Sequence, residues 1–299
     1  MGLIECIPNV SEGRREAVVS AMADAVRDTA GIRLLDVTSD ASHHRSVLTF
    51  AGPGHALTTA VLALVEHAVA SIDLRTHHGQ HPRIGAVDVV PFIPLTGTSM
   101  DECVAVARET AARVAGQFGI PVFLYEAAAT TPARRNLAEV RRGGFEGLAA
   151  RMQTADGAPD YGPRRPHPTA GAIAMGARGP LIAFNVNLAD SRLDVARAIA
   201  IAVRERDGGL PCVKAIPIRL EGRGLVQVSM NLTDYRRTSM EAAYLAVVHE
   251  AARHGVTVLE SELIGLVPDA ALPPDPATRL RLRGFSRQMV LEERLAQAG

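Results

Sequence analysis

The stretch spanning residues 181–206, LIAFNVNLADSRLDVARAIAIAVRER, decides the fold, because it restarts in the second half of the chain the pattern on which the first half opens. Residues 181–187 read as a strand and 192–206 as an amphipathic helix with apolar positions at helical spacing. Strands at 212–220 and 225–231, a helix at 239–254 and a strand at 256–262 complete the order βαββαβ. The N-terminal half has the same order: strand 3–8, helix 14–28, strands 32–38 and 45–50, helix 54–74 and strand 86–92. A helix over 99–118, capped by Ser99 with Asp101 and Glu102 in its first turn, and a strand over 121–125 extend it. The repeat is visible in residues as well, since PNV at 8–10 matches FNV at 184–186, each leading toward a long helix. The expected fold is α+β: two ferredoxin-like, split βαβ halves related by internal duplication, 1–176 and 177–299, with a ligand cleft between them. Residues 157–180, crowded with glycine and proline, read as irregular, both a junction between the halves and a candidate binding loop. From residue 277 the chain reads as a helix with an arginine-rich face.

Chemistry concentrates at 76–94, THHGQHPRIGAVDVVPFIP. His77 and His81 are spaced as a helical metal pair would be, but Pro82 pushes His81 toward extended geometry and no HExxH pattern accompanies them. His77 and His78 suit the end of the preceding helix, where the dipole favours cations. His81, in a polar loop ahead of a strand, is the acid/base candidate, because an imidazole of pKa about 6.5 serves both roles at neutral pH. Arg83 reads as a holder of an anionic group or as a rim charge, and Asp88 as an orienting group or as a partner for backbone at the strand end. Asn9, following Pro8 at an element boundary, suits a turn or a ligand, while Ser11 suits the N-cap of the first helix. The hairpin tip SDASHHR at 39–45 carries Asp40, His43, His44 and Arg45, and a guanidinium fork at Arg45 matches a substrate carboxylate. Asn185 and Asn187 occupy the corresponding strand of the second half.

With 299 residues the chain suffices for one large domain or two modest ones. Its formal net charge is zero, which removes any global pull toward nucleic acid or an anionic membrane. Lys214 is the only lysine and reads as a solvent-facing strand residue, so neither a P-loop nor a Schiff base is indicated. Cys6, Cys103 and Cys212 are odd in number and widely separated, fitting buried apolar positions rather than disulfides or a zinc ribbon. The N-terminus lacks a signal-peptide pattern and no window resembles a spanning helix, which points to the cytoplasm.

Three separated motifs, IECIPNVSEG at 4–13, GQHPRIGAVDVVPFIP at 79–94 and LIAFNVNL at 181–188, resemble the formiminotransferase family over nearly the whole chain, from residue 4 to about 268. The resemblance implies transfer of the formimino group of N-formimino-L-glutamate to N5 of tetrahydrofolate, giving 5-formiminotetrahydrofolate and L-glutamate, in one-carbon metabolism and histidine degradation. Tetrahydrofolate is then a co-substrate and no metal is needed. His81, in its HPR context, matches the family's catalytic histidine and would carry the proton from N5 to the departing nitrogen. Folate would lie between the halves, held by a loop made of Gly162, Pro163, Arg164, Arg165, Pro166, His167, Pro168, Thr169, Ala170 and Gly171. There Arg164 and Arg165 would meet glutamyl carboxylates, glycines would permit close approach and prolines would lower the cost of ordering. The plain alternative for this loop is an interdomain linker. Family members commonly carry Asn where this chain has His44, and several carry a tryptophan where it has Ala170. A homodimer is implied, and in some relatives a cyclodeaminase domain follows the transferase region. Here a separate enzyme is expected to take the product. Two other functions fit the same pocket: formyl transfer between 5-formyltetrahydrofolate and glutamate, or formimino transfer to another amine. A non-catalytic folate-binding protein is the third.

Overall fold

The computed structural model describes residues 2–79 and 82–298, so His81 lies outside the described residues. Two compact units divide at Arg178/Gly179. The first runs through β1 (Ile4–Cys6), β2 (Asn9–Val10), α1 (Glu16–Arg27), β3 (Arg33–Asp40), β4 (Arg45–Gly52), α2 (Gly54–Ser71), β5 (Val87–Pro94), α3 (Met100–Phe118), β6 (Val122–Glu126), α4 (Leu137–Val140), α5 (Gly144–Arg151) and β7 (Ile173–Ala177). β1 and β2 follow each other along one line of the sheet, each paired antiparallel with β4 on one side and β5 on the other. β3 borders β4, and β7 then β6 extend the sheet in parallel beyond β5.

The parallel extension explains why these strands read as almost unbroken apolar runs, since both of their faces are covered. Val122 and Leu124 of β6 and Ile173 and Met175 of β7 join the main core with α2 and α3. Phe123, Tyr125 and Ala174 point the other way, into a second cluster with Val140 of α4, Leu148 of α5 and Met152. The expectation of an irregular chain over 157–180 is therefore corrected. β7 lies inside it, between β5 and β6, and its small residues Ala174, Gly176 and Ala177 suit a strand squeezed by neighbours on both sides. At Gly176 a Cβ would come within 2.4 Å of the Tyr125 carbonyl oxygen. Ser99 caps α3 in a reciprocal capping box with Glu102, and Gly119 ends the helix at φ 64°.

The second unit runs through β8 (Ile182–Leu188), α6 (Leu193–Val203), β9 (Val213–Leu220), β10 (Leu225–Leu232), α7 (Met240–Arg253), β11 (Val258–Ile264), α8 (Pro276–Arg279) and α9 (Leu291–Gln297). Its four strands are antiparallel in the order β11-β8-β10-β9. Strand alternation sends Phe184, Val186, Val226 and Val228 into a core with α6 and α7. The intervening polar residues form a side-chain ladder on the opposite face: Gln227 Nε2 donates to Asn187 Oδ1 (2.8 Å) and Glu262 (2.7 Å), and Asn187 Nδ2 donates to Glu260 (3.0 Å). The expected long C-terminal helix is corrected to two short ones, α8 and α9. Leu280 and Leu282 between them turn into the core and Val290 is buried, so the intervening chain anchors the unit instead of lying solvated on it. Lys214 is exposed, whereas Cys212, expected buried, is half-buried at φ 59°. No helix among the described residues is long and apolar enough to cross a membrane.

Candidate active site

A small pocket in the first unit is lined by Asn9, Val10, Ser11, His43, His44, Arg45, His77, Arg83 and Asp88. Asn9, Arg45 and Arg83, three of the residues singled out from sequence, thus converge from β2, β4 and the approach to β5. The approach is tied down by Ser11. Its hydroxyl donates to the Gly85 carbonyl at 2.7 Å and its N–H to that of Ala86 at 2.8 Å. This corrects the expected N-cap, for α1 starts only at Glu16. Glu12 meets the orphaned N–H groups there, accepting from Arg14 N and Arg15 N at 2.9 Å each and from Arg15 Nε at 2.5 Å. Burial pushes the Glu12 carboxyl up, but the Arg15 and Arg14 backbone N–H groups and the Arg15 side chain outweigh it and bring the pKa down to about 2.

The histidines are arranged differently from expectation. α2 ends at Ser71, so His77 does not cap a helix. It lies in the following loop, 5% exposed, and its Nε2–H donates to the His44 carbonyl at 3.0 Å. Its ring stacks on that of His44 with centroids 4.1 Å apart and planes 8° apart. His44 has φ 51°, the left-handed region that asparagine enters more readily than most residues. Its Nδ1 faces the His78 carbonyl (3.1 Å) and its Nε2 faces Glu12 (3.2 Å). Burial, then the neighbouring His44 and Arg83 charges, lower the pKa of His77 against the hydrogen bond to the His44 carbonyl and the Glu12 charge, so the ring is neutral at pH 7.

Arg83 is largely buried, its side chain 12% exposed, and Asp88 partners a backbone N–H as one of its two readings expected. The register between β2 and β5 slips by one residue, with Asn9 opposite Val89 and Val10 opposite Val87, which leaves Asp88 as the extra residue of a bulge. Asp88 Oδ1 accepts from Ile84 N at 2.7 Å, and Oδ2 accepts from Arg141 Nε at 3.0 Å and from Nη2. Arg83 Nη2 donates to the His77 carbonyl and to Glu146, 2.9 Å each. Burial first, and then the Arg141 charge, bring Arg45 down to about 10 against the pull of Asp88 and Asp40, so it remains a cation at neutral pH. Among the pocket-lining residues, His77 carries a buried Nδ1 and Arg83 a buried Nε that have no hydrogen-bond partner among the described residues. Arg141 and Glu146 carry no sequence signal. They reach the site from α4 and α5, which no motif marks.

The loop 162–171 belongs to the first unit and is not an interdomain linker. Its C-terminal end closes as a tight hairpin, with His167 and Gly171 exchanging both backbone hydrogen bonds and His167 Nδ1 accepting from Ala170 N at 3.0 Å. It packs beside the pocket: Ala86 N donates to the Ala170 carbonyl and Leu74 N to that of Thr169. Gly171 has φ 69°, and a Cβ there would meet the Ile84 carbonyl oxygen at 2.1 Å. Ala170 is 1% exposed in the core, and the Arg164 fork is turned onto the Met152, Gln153 and Thr154 carbonyls. Arg165, Gly162 and Pro168 are exposed, while Pro163, Pro166 and Thr169 are half-buried. Asn185 lies in the second unit, its Nδ2 3.4 Å from Glu262.

Residues 3–178 match the model of the formiminotransferase domain, N-terminal subdomain, and residues 183–278 match that of the formiminotransferase domain. The glutamate formimidoyltransferase of Streptococcus pyogenes serotype M1 is 44% identical, with 98% of each chain covered. That of Thermoplasma acidophilum is 43% identical over 100% of this chain and 99% of its own. The formimidoyltransferase-cyclodeaminase of Sus scrofa is 42% identical over 90% of this chain and 51% of its own. Matched by both family models in chain order, the chain belongs to the formiminotransferase family.

Proposed function

We propose that this chain transfers the formimino group of N-formimino-L-glutamate to N5 of tetrahydrofolate, releasing L-glutamate and 5-formiminotetrahydrofolate. The observation that carries this reading is the end-to-end correspondence with two proteins named glutamate formimidoyltransferase. The pocket supplies fitting chemistry. Arg45 is a half-buried cation, and Arg83, whose buried Nε–H has no partner among the described residues, lines the same pocket, a pair suited to the carboxylates of a glutamate derivative. N5 attacks the formimino carbon, a tetrahedral intermediate forms, and the bond from that carbon to the glutamate nitrogen breaks. His81 accepts the proton from N5 and delivers it to the departing nitrogen. Its chain neighbours His77, His78 and Arg83 all make hydrogen bonds at the pocket, which supports this role. Tetrahydrofolate serves as co-substrate, without a metal.

Folate is assigned to the loop 162–171, with Arg165 as the exposed charge, Asn9 as a polar contact, and Arg164 and Ala170 as supports of the loop. We read the two units as ferredoxin-like halves of one duplication, the boundary falling near 176–178. In support, both follow the path βαββαβ with the fourth strand beside the first, then the third, then the second. A homodimer working in the cytoplasm follows from the family resemblance. The test is incubation with formiminoglutamate and tetrahydrofolate, where both products are expected. His81→Ala should keep folate affinity and lose about a hundred- to ten-thousandfold in kcat. Product from a formyl donor alone would move the assignment to formyl transfer.

A further inference from the structure

The neutral tautomer of His77 is set by its surroundings. A carbonyl oxygen only accepts, so the 3.0 Å contact with the His44 carbonyl places the hydrogen on Nε2 and leaves Nδ1 as a bare lone pair. That lone pair is buried and unmatched among the described residues, on a ring whose face is already covered by His44. A buried acceptor left without a donor is a standing cost that proteins seldom carry without a use. Arg83, which lines the same pocket, carries a buried Nε that is likewise unmatched among the described residues, and this atom is a donor. Among the described residues, His77 Nδ1 is thus an unfilled acceptor on a residue that lines the pocket together with Arg83, whose Nε is an unfilled donor.

We propose that His77 is the specificity-determining residue of the pocket, its Nδ1 accepting a hydrogen bond from the N–H of the formimino group. The proposal rests on formimino transfer being the reaction at this site. A formimino group carries an N–H, whereas the otherwise isosteric formyl group presents an oxygen, and an oxygen set against Nδ1 brings two lone pairs together. The N–H is present in the donor substrate, in the tetrahedral intermediate and in the product, so His77 holds the transferring group throughout without itself exchanging a proton. His44 acts through His77, fixing the plane of its ring by stacking and its tautomer by the carbonyl.

His77→Phe keeps a flat ring for the stack and removes the acceptor. Its kcat/KM for N-formimino-L-glutamate should fall about tenfold. Its preference for that donor over N-formyl-L-glutamate should shrink by at least as much, with tetrahydrofolate affinity unchanged. A merely structural histidine would lower both donors alike, and an unaltered donor ratio in folded His77→Phe overturns the proposal. Nitrogen-15 NMR of the wild-type protein covers the case in which the variant does not fold. There the His77 ring is expected as the Nε2–H tautomer, and its Nδ1 resonance should move upfield when formiminoglutamate is added. A resonance that does not move refutes the contact. Wild-type protein that makes no formimino product from formiminoglutamate refutes the functional reading and this proposal together, whereas product with an unchanged ratio in His77→Phe refutes the proposal alone.

Discussion

Replacing Asp88 with alanine should release the segment that brings Arg83 to the pocket. The Asp88 side chain is 3% exposed, and it satisfies Ile84 N at 2.7 Å while pairing with an Arg141 side chain that is itself only 14% exposed. Its charge also offsets the repulsion between Arg45 and Arg141. Removing one member of such a buried pair costs about 3–5 kcal/mol, and stranding the Ile84 N–H about 1–3 kcal/mol. The two losses share a side chain and are not additive, so a total near 4–5 kcal/mol is expected. Asp88→Asn retains an acceptor for Ile84 N and should lose about half as much. Urea unfolding followed by circular dichroism reads both variants, with midpoints interpreted at constant m-value. The double variant Asp88→Ala/Arg141→Ala removes the stranded charge and should be more stable than the sum of the single losses by at least about 1.5 kcal/mol. A loss below about 1 kcal/mol in Asp88→Ala, or strict additivity in the double variant, would show that the bulge does not depend on this pair.

Three further outcomes follow from the geometry. Gly171→Ala forces a Cβ against the Ile84 carbonyl at φ 69° and should cost at least about 1–2 kcal/mol, while Gly147→Ala, with open space around it in α5, should be neutral or stabilising; equal melting shifts would contradict this. Glu12 has a folded pKa of about 2 against 4.5 for the free group, so its contribution, on the order of 3 kcal/mol, is fully present above pH 4.5 and is lost as pH falls toward 2. The stability gap between wild type and Glu12→Gln should accordingly close on acidification, and a gap independent of pH would exclude the depressed value. Arg45→Gln should raise KM for formiminoglutamate about ten- to a hundredfold in steady-state assays, with an unchanged KM ruling out its role as a carboxylate holder.

The repeated βαββαβ order was legible because each element carries its own period and boundary residues, as Ser99 and Gly119 do for α3. β7 was not, because its small residues derive their strand character from β5 and β6 on either side and not from local preference. Site residues divide in the same way. Asn9, Arg45 and Arg83 could be picked out by residue type at element boundaries, and the structure brings them to one pocket. The roles of His77, Ser11 and Arg164 depend on contacts 33, 74 and about 10–12 residues away, to His44, Gly85 and the chain after α5. Local reasoning assigned His77 to a helix end and Ser11 to an N-cap, because nothing within a few residues reports those partners.

The most direct measurement follows the transferred carbon itself. With formiminoglutamate labelled by carbon-13 at the formimino position, mixed with tetrahydrofolate and the protein, the label should appear on N5 of the folate as one equivalent of glutamate is released. A label that stays on glutamate, or leaves as formate without reaching the folate, would contradict formimino transfer at this pocket.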